Sequence, residues 1–349
     1  MNRTTPAETK LTICVWHPFS EWRPPASLAD AILSRWPAMR VVHLPNFDRL
    51  PQELPDTDIF VGYSLRPNQF PAARKLKWIH STATGVAQLA YPELRDSGIL
   101  VTNPSGLFSV PMAEHAMGLL VALARNFPDS VRHQDRAIWS QQILWDKAPI
   151  TELNGKILLI VGYGSIGREL ARRAAAFGMR VVVCTRTPQR DSKIAERVDS
   201  MEGFGRLLAE SDFIIVTPPL NDQTRGLFDR RAFAAMRREA VIVNVARGPI
   251  IDELALYEAL AERRIGGAII DVWYRYPPQG TPHGPQPSAH PFHELDNVLM
   301  TPHASAWTDG LLPRRNRAVA TNLNRLARGE PLVNVVRAAE PARRPMERA

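Results

Sequence analysis

Cysteine, lysine and long apolar runs are all scarce in this 349-residue chain. Two cysteines, Cys14 and Cys184, cannot build a disulfide framework, and neither sits in a metal-type spacing, so a reducing cytoplasm is the expected setting. The longest apolar stretches, at 157–161 and 118–124, fall far short of the ~20 residues that cross a bilayer. The opening MNRTTPAETK has no apolar segment, so no signal peptide is expected. Only six of the 43 basic residues are lysine. The net charge of +8 is uneven: residues 313–349 hold nine arginines against three glutamates, leaving +2 for the first 312. A basic tail without an aromatic-basic face or reader motif predicts no nucleic-acid partner.

What is present is material for packed cores, with 45% hydrophobic and 22% charged residues in a length that suits two domains. Strand-like runs at 11–15, 40–44, 58–62, 77–80 and 99–102 alternate with amphipathic stretches, the signature of a parallel α/β sheet. An apolar helix follows over 111–126, with Pro111 suiting its first turn and Pro128 its end. A second alternating set has strands at 156–161, 180–184, 213–217, 241–245, 268–272 and 297–301, six in succession, matching one doubly wound nucleotide-binding domain. Residues 274–293, rich in Pro, Gly and His, read as a loop. A last helix over 311–328 precedes Gly329 and the short run 333–336, and residues beyond 337 are expected to be disordered.

The clearest chemistry lies in KILLIVGYGSIGRELARRAAAFGMRVVVC, where Gly162, Gly164 and Gly167 follow an apolar strand and open a helix. Gly162 makes the tight turn, Gly164 lets backbone approach a diphosphate, and Gly167 permits close helix–sheet packing. Ser165 and Ile166 begin the helix, whose unpaired N–H groups and dipole favour an anion. After the next strand come Thr185, Arg186 and Thr187, with no carboxylate until Asp191. A carboxylate there would repel a 2′-phosphate, whereas Arg186 and the two hydroxyls can hold one. NADP(H) is therefore the favoured cofactor and NAD(H) the alternative, with Arg186 then a solvated side chain stacking on adenine.

Seven segments in order resemble the D-2-hydroxyacid dehydrogenase family: KWIHSTATGVAQL, VTNPSG…MAEHAMGLLVALAR, ELNGKILLIVGYGSIG, TPPLNDQTRGLF, VIVNVARGPIIDELALYEAL, GGAIIDVW and NVLMTPHASAW. The resemblance implies an α/β fold of two doubly wound parallel-sheet domains. A flavodoxin-like substrate domain (1–104 plus 305–337) would be split around a Rossmann nucleotide-binding domain (105–304), leaving a tail at 338–349. It further implies a homodimer acting on a 2-keto or D-2-hydroxy acid. Arg247 of VARG corresponds to the anchor of the substrate carboxylate and carbonyl, a task suited to a guanidinium fork. His303 of TPH corresponds to the general acid/base. Asp271 corresponds to the residue that fixes the nicotinamide carboxamide, Thr217 to a cofactor contact, and Thr84, Gly85 and Val86 to the loop that receives the substrate carboxylate.

The chain departs from the pattern at one decisive place. The family's Glu, five residues after the Asp and just before a Pro, pairs with the catalytic His; here that position is Tyr276. A tyrosine can orient the ring but lacks the charge that holds its proton. Tyr276 is the favoured replacement, Glu294 a second candidate, and the third reading is a catalytically silent NAD(P)-sensing dimer that binds a partner protein, as in related co-repressors. The related formate dehydrogenases carry an Asn where this chain has Phe108, an apolar group better suited to a 2-keto acid with a side chain. His283, His290 and His293 lie in a Pro-rich loop that preorganises no metal geometry, so no metal site is expected. Trp139 and Trp145 are candidates either for core packing or for covering an active site.

Overall fold

The computed structural model describes residues 9–16, 23–147, 150–188, 194–278 and 284–336. The tail at 338–349, Asp191 and His283 lie outside them. The chain divides into two units, Met1–Leu107 with Asp309–Ala349, and Phe108–Thr308.

The discontinuous unit is built from β1 (Lys10–Cys14), α1 (Ser27–Arg35), β2 (Arg40–Leu44), α2 (Leu50–Glu53), β3 (Ile59–Gly62), β4 (Trp78–Ser81), α3 (Pro92–Arg95) and β5 (Leu100–Thr102). Its strands run parallel in the order β2-β1-β3-β4-β5, the flavodoxin-like order. Apolar side chains leave both faces of the sheet. Ile13, Trp78 and Ile32 form a core on one side, with Val319 and Leu323 of the C-terminal helix. Phe60, Ile79, Leu44 and Leu94 form the core on the other. The run after that helix returns to β5, where Val336 N–H donates to Val101 O at 2.8 Å.

The inserted unit begins with α4 (Ser109–Ala124), α5 (Phe127–Gln134) and α6 (Gln141–Lys147). Pro128 lies in the first turn of α5 rather than closing α4, because Asn126 in the left-handed region turns the chain and a proline fits a helix start. Then follow β6 (Ile157–Val161), α7 (Ser165–Ala176), β7 (Arg180–Cys184), β8 (Arg197–Asp199), α8 (Phe204–Glu210), β9 (Phe213–Val216), α9 (Arg230–Ala235), β10 (Val241–Asn244), α10 (Glu253–Ala261), β11 (Gly267–Ile270) and β12 (Val298–Met300). The remaining helix, α11 (Leu311–Ala327), belongs to the first unit.

The second sheet is parallel with seven strands, β12-β11-β10-β9-β6-β7-β8, where the sequence pattern predicts six. The extra strand is β8. It reads Arg-Val-Asp, is half-buried and lies at the sheet edge, where short charged strands prevent further pairing and leave no apolar run to detect. The central strands β6, β9 and β11 are apolar throughout and almost wholly buried, as a sheet covered on both faces requires. Helices α4 and α7 cover one face through Met117, Leu120 and Leu170. The other is filled by Phe228, Phe233, Leu256 and Trp273.

Candidate active site

In the inserted unit, the chain order reverses between the adjacent strands β6 and β9, so their carboxyl ends frame the crevice in which such sheets bind ligands. The glycine turn follows β6. Gly162 has φ +91°, and a Cβ there would lie 2.9 Å from both Pro218 N and Thr217 Oγ1. A Cβ at Gly167 would approach Gly162 O to 2.4 Å, so this glycine is fixed by packing of helix on turn. At Gly164, by contrast, nothing lies within 4 Å of the Cβ position. That open side faces the start of α7, where Ser165, Ile166 and Gly167 have amides without intrahelical acceptors. Thr217 braces the turn by donating its hydroxyl toward Val161 O and Gly162 O at 2.9 and 2.8 Å. The residues present therefore fit a dinucleotide diphosphate.

At the end of β7, Thr185 N–H donates to Asp199 O, while Arg186 and Thr187 are exposed. The unpredicted strand β8 brings Asp199 into register with Cys184. Its carboxylate is engaged by Arg206 at 2.9 Å and Arg197 at 3.2 Å. Burial, reinforced by the Asp199 charge, pushes the Cys184 thiol up to about 11, so it stays protonated and inert.

The catalytic candidates follow the next three strands at the same edge. Arg247 lies just beyond β10, exposed and extended, with Nη1 donating to Ala246 O at 2.6 Å. Among the described residues it is paired with no carboxylate.

Asp271, at the end of β11, is completely buried. Its Oδ1 accepts from Thr301 Oγ1 at 2.6 Å and Ala304 N–H at 2.8 Å, and its Oδ2 accepts from Ser305 N–H at 3.2 Å. Burial pushes this carboxyl up, but those hydrogen bonds and nearby His115 outweigh it and keep the group below the usual range, hence ionised. Asp271 thus holds the turn that carries His303.

His303 is one of the few non-glycine residues with positive φ, at 55°. That conformation costs about 1–2 kcal/mol and is sustained here by the anchored amides of Ala304 and Ser305 on its C-terminal side. The residue is solvent-accessible, yet partial desolvation lowers its pKa below 6.5; the Asp271 charge opposes this and the Arg247 cation adds to it. Tyr276 lies beside it, the ring centroids 5.4 Å apart and tilted by 38°. The Tyr276 hydroxyl accepts from Trp273 N–H at 3.2 Å, so the contact with His303 is ring against ring. Glu294 lies 3.8 Å from His293 instead, in an exposed turn.

His115 of α4, which sequence reasoning did not single out, joins this corner. Its Nε2 lies 3.2 Å from Thr301 Oγ1 and 3.7 Å from Asp271 Oδ1. The only signal in the sequence was its place in the MAEH segment. Phe108 precedes the first turn of α4 and packs half-buried on the α4–α7 core.

Thr84, Gly85 and Val86 belong to the other unit, in the loop after β4. The loop is braced from two sides: Asn103 Nδ2 donates to Thr84 O at 2.5 Å, and Gln88 Nε2 donates to Gly85 O and Tyr63 O. His290 stacks on Tyr257 at 5.1 Å, and among the described residues no group of three His, Cys, Asp or Glu side chains could hold a metal. No helix among them is long and apolar enough to cross a membrane. Trp139 and Trp145 are 88% and 78% exposed rather than packed in the core of their own unit.

Comparison with known proteins agrees with this layout. The model of the D-isomer specific 2-hydroxyacid dehydrogenase NAD-binding domain matches residues 117–305. The D-3-phosphoglycerate dehydrogenase of Methanocaldococcus jannaschii is 34% identical over 294 residues, 83% of this chain and 53% of that protein, so the chain spans about half the length of that relative. The glyoxylate reductase of Korarchaeum cryptofilum is 32% identical over 290 residues, covering 82% of this chain and 84% of its own. A solved structure of a D-isomer specific 2-hydroxyacid dehydrogenase family protein from Aeromonas salmonicida subsp. salmonicida A449 superposes with a TM-score of 0.78 at 25% identity, over 95% of this chain and all of that one. Fold, glycine turn and sequence kinship lead to one conclusion: the chain belongs to the D-isomer specific 2-hydroxyacid dehydrogenase family.

Proposed function

We propose that this protein is an NADP(H)-preferring dehydrogenase that interconverts 2-keto acids and D-2-hydroxy acids. The observation that carries the reading is the accessible imidazole of His303 in an anchored left-handed turn at the carboxyl edge of the sheet, within the field of an Arg247 cation that no carboxylate among the described residues neutralises. The reduced nicotinamide, when bound, supplies the hydride. Arg247 binds the substrate carboxylate and polarises the adjacent ketone, lowering the cost of negative charge on its oxygen. His303 gives its proton to that oxygen as the alkoxide forms, and takes it back in oxidation. Asp271 keeps the turn of His303 in place, and it is the proposed partner of the nicotinamide carboxamide. The Thr84–Val86 loop is the proposed receiver of the substrate carboxylate.

Three features favour NADP(H). Arg186 and Thr187 stand exposed after β7, the described residues there include no carboxylate on β7 itself, and the charge of Asp199 on the adjacent strand is offset by Arg197 and Arg206. Phe108, an apolar group at the entry to α4, favours a 2-keto acid bearing a side chain over formate. The protein is further proposed to be a cytoplasmic homodimer. Its two buried cysteines suit a reducing compartment, and Phe127, Val131, Trp139 and Trp145 on the α5–α6 arm form an exposed apolar surface suited to a second copy.

The test is NADPH oxidation against a panel of 2-keto acids, with Arg247→Ala and His303→Ala alongside. Turnover that both substitutions abolish supports the reading. Cofactor binding without turnover on any member of the panel would overturn it in favour of a dinucleotide sensor.

A further inference from the structure

His115 is a titratable group that the proposed reaction leaves unused, although it touches the residues behind His303. Its imidazole projects from α4, the helix that begins just after the boundary between the units, and meets the residues that hold the His303 turn. The hydrogen-bond arithmetic there has one solution. Asp271 is ionised and only accepts. Thr301 has a single hydroxyl proton, which it gives to Asp271 at 2.6 Å. Its oxygen can then only accept from His115, 3.2 Å away, so Nε2 of His115 carries hydrogen. The result is a directed chain, His115 N–H to Thr301 O–H to Asp271, and the same carboxylate receives the amides of Ala304 and Ser305 on the far side of His303.

We propose that His115 is a positioning residue of the catalytic centre, setting the His303 turn through Thr301 and Asp271. The inference rests on His303 being the acid/base, but the geometry of the turn can be measured without turnover. Thr301 sits where β12 ends and the turn begins, and its hydroxyl would be free to rotate if nothing held its oxygen. With His115 in place that rotation is blocked, Asp271 is kept aimed at both amides, and the left-handed residue between them stays where its imidazole can reach a substrate oxygen. The charged and titratable groups around this chain are Asp271, His303 and Arg247, on the segments after β11, β12 and β10. On α4 itself, Glu114 is directed away to Arg173 of α7 at 3.0 Å.

The test uses the full chain and three single substitutions. His115→Leu keeps the bulk and removes the donor; His115→Gln places an amide nitrogen at the same number of bonds from Cα; Thr301→Val removes the relay. Two readouts are needed: steady-state kinetics of 2-keto acid reduction with NADPH, and hydrogen exchange of the Ala304 and Ser305 amides in the chain without substrate. A catalytic group displaced by an ångström can cost up to about 100-fold in rate. The expected result for His115→Leu is a drop in kcat of about tenfold or more, with KM for the keto acid changed much less, and faster exchange at both amides. His115→Gln restores most of kcat and the protection. Thr301→Val matches His115→Leu, and the double substitution is no worse than either alone, because both break one chain.

Wild-type kcat and unchanged exchange in a folded His115→Leu would overturn the proposal, as would additive losses in the double substitution. If the parent protein reduces no 2-keto acid but the amides still lose protection in His115→Leu, the reaction assignment fails while the positioning role stands. Turnover with no link between His115 and the amides gives the converse result.

Discussion

Two histidines near the carboxyl ends of parallel sheets, His80 in the discontinuous unit and His303 in the inserted one, have environments that differ in kind. His80 is fully buried on β4; its Nδ1 shares a 2.9 Å hydrogen bond with Thr102, whose hydroxyl oxygen also accepts from Trp78 Nε1 at 2.8 Å. Burial lowers its pKa to about 4, with a further push from the Arg315 cation. It is a core side chain that happens to ionise. His303 is lowered too, but it keeps solvent access, stands in a left-handed turn and lies between the fields of a carboxylate and a guanidinium. A perturbed histidine is thus no sign of chemistry by itself; access and an anchored backbone separate the proposed acid/base from the core side chain.

The largest effect that divides the two is on rate. His303→Ala should lower kcat by about 10²–10⁴-fold, the usual worth of a general acid, while NADPH affinity by fluorescence titration stays within a small factor. The corresponding effect at His80 falls on stability. Its folded pKa lies below the unfolded value of 6.5, so its contribution to stability is complete above pH 6.5 and is lost as pH falls toward about 4. Chemical denaturation between pH 7 and 4 should show a loss of roughly 3 kcal/mol attributable to this group, absent in His80→Leu. An equal loss in that variant would show that His80 is not responsible.

The same contrast between packing and chemistry recurs within the glycine turn. Gly167→Ala forces a methyl against Gly162 O and should cost about 1–3 kcal/mol of stability by thermal melting. Gly164→Ala meets open space, so the melting temperature of the cofactor-free protein should hold while NADPH binding weakens. The smallest expected effect is at Tyr276. Replacing it by Glu puts a charge beside the His303 ring and should raise the midpoint of the pH profile of reduction by about one unit, with little change in KM.

These differences follow how much of the molecule was legible in its sequence. The glycine turn was, because three residues six apart or less carry both the turn and the packing, and the flanking apolar strands are continuous. Both sheets were legible for the same reason, apart from β8, whose Arg-Val-Asp pattern at an edge has no periodicity to detect. The catalytic corner was legible only in part. Arg247, Asp271 and His303 lie within family motifs, but the role of Asp271 as the anchor of the His303 turn depends on backbone amides, which no side-chain pattern encodes. His115 is 186 residues from Thr301, and only the packing of α4 on the sheet brings them together. Tyr276 was read as a substitute for a missing carboxylate. Its hydroxyl accepts from Trp273 N–H and its ring lies beside the imidazole, and the negative charge that acts on His303 is that of Asp271.

That arrangement makes a direct demand on the reaction. Partial desolvation, with the Arg247 cation adding to it, makes His303 hold its proton less tightly than a free histidine, and the proposed ketone reduction needs that proton. The decisive measurement is the pH dependence of kcat/KM for the 2-keto acid at saturating NADPH, which reports the ionisation of the enzyme before the keto acid binds. The account predicts a rate that falls as pH rises, with a midpoint below 6.5 that moves upward in Tyr276→Glu. A flat profile, or a midpoint above 6.5 that the substitution leaves unmoved, would contradict it.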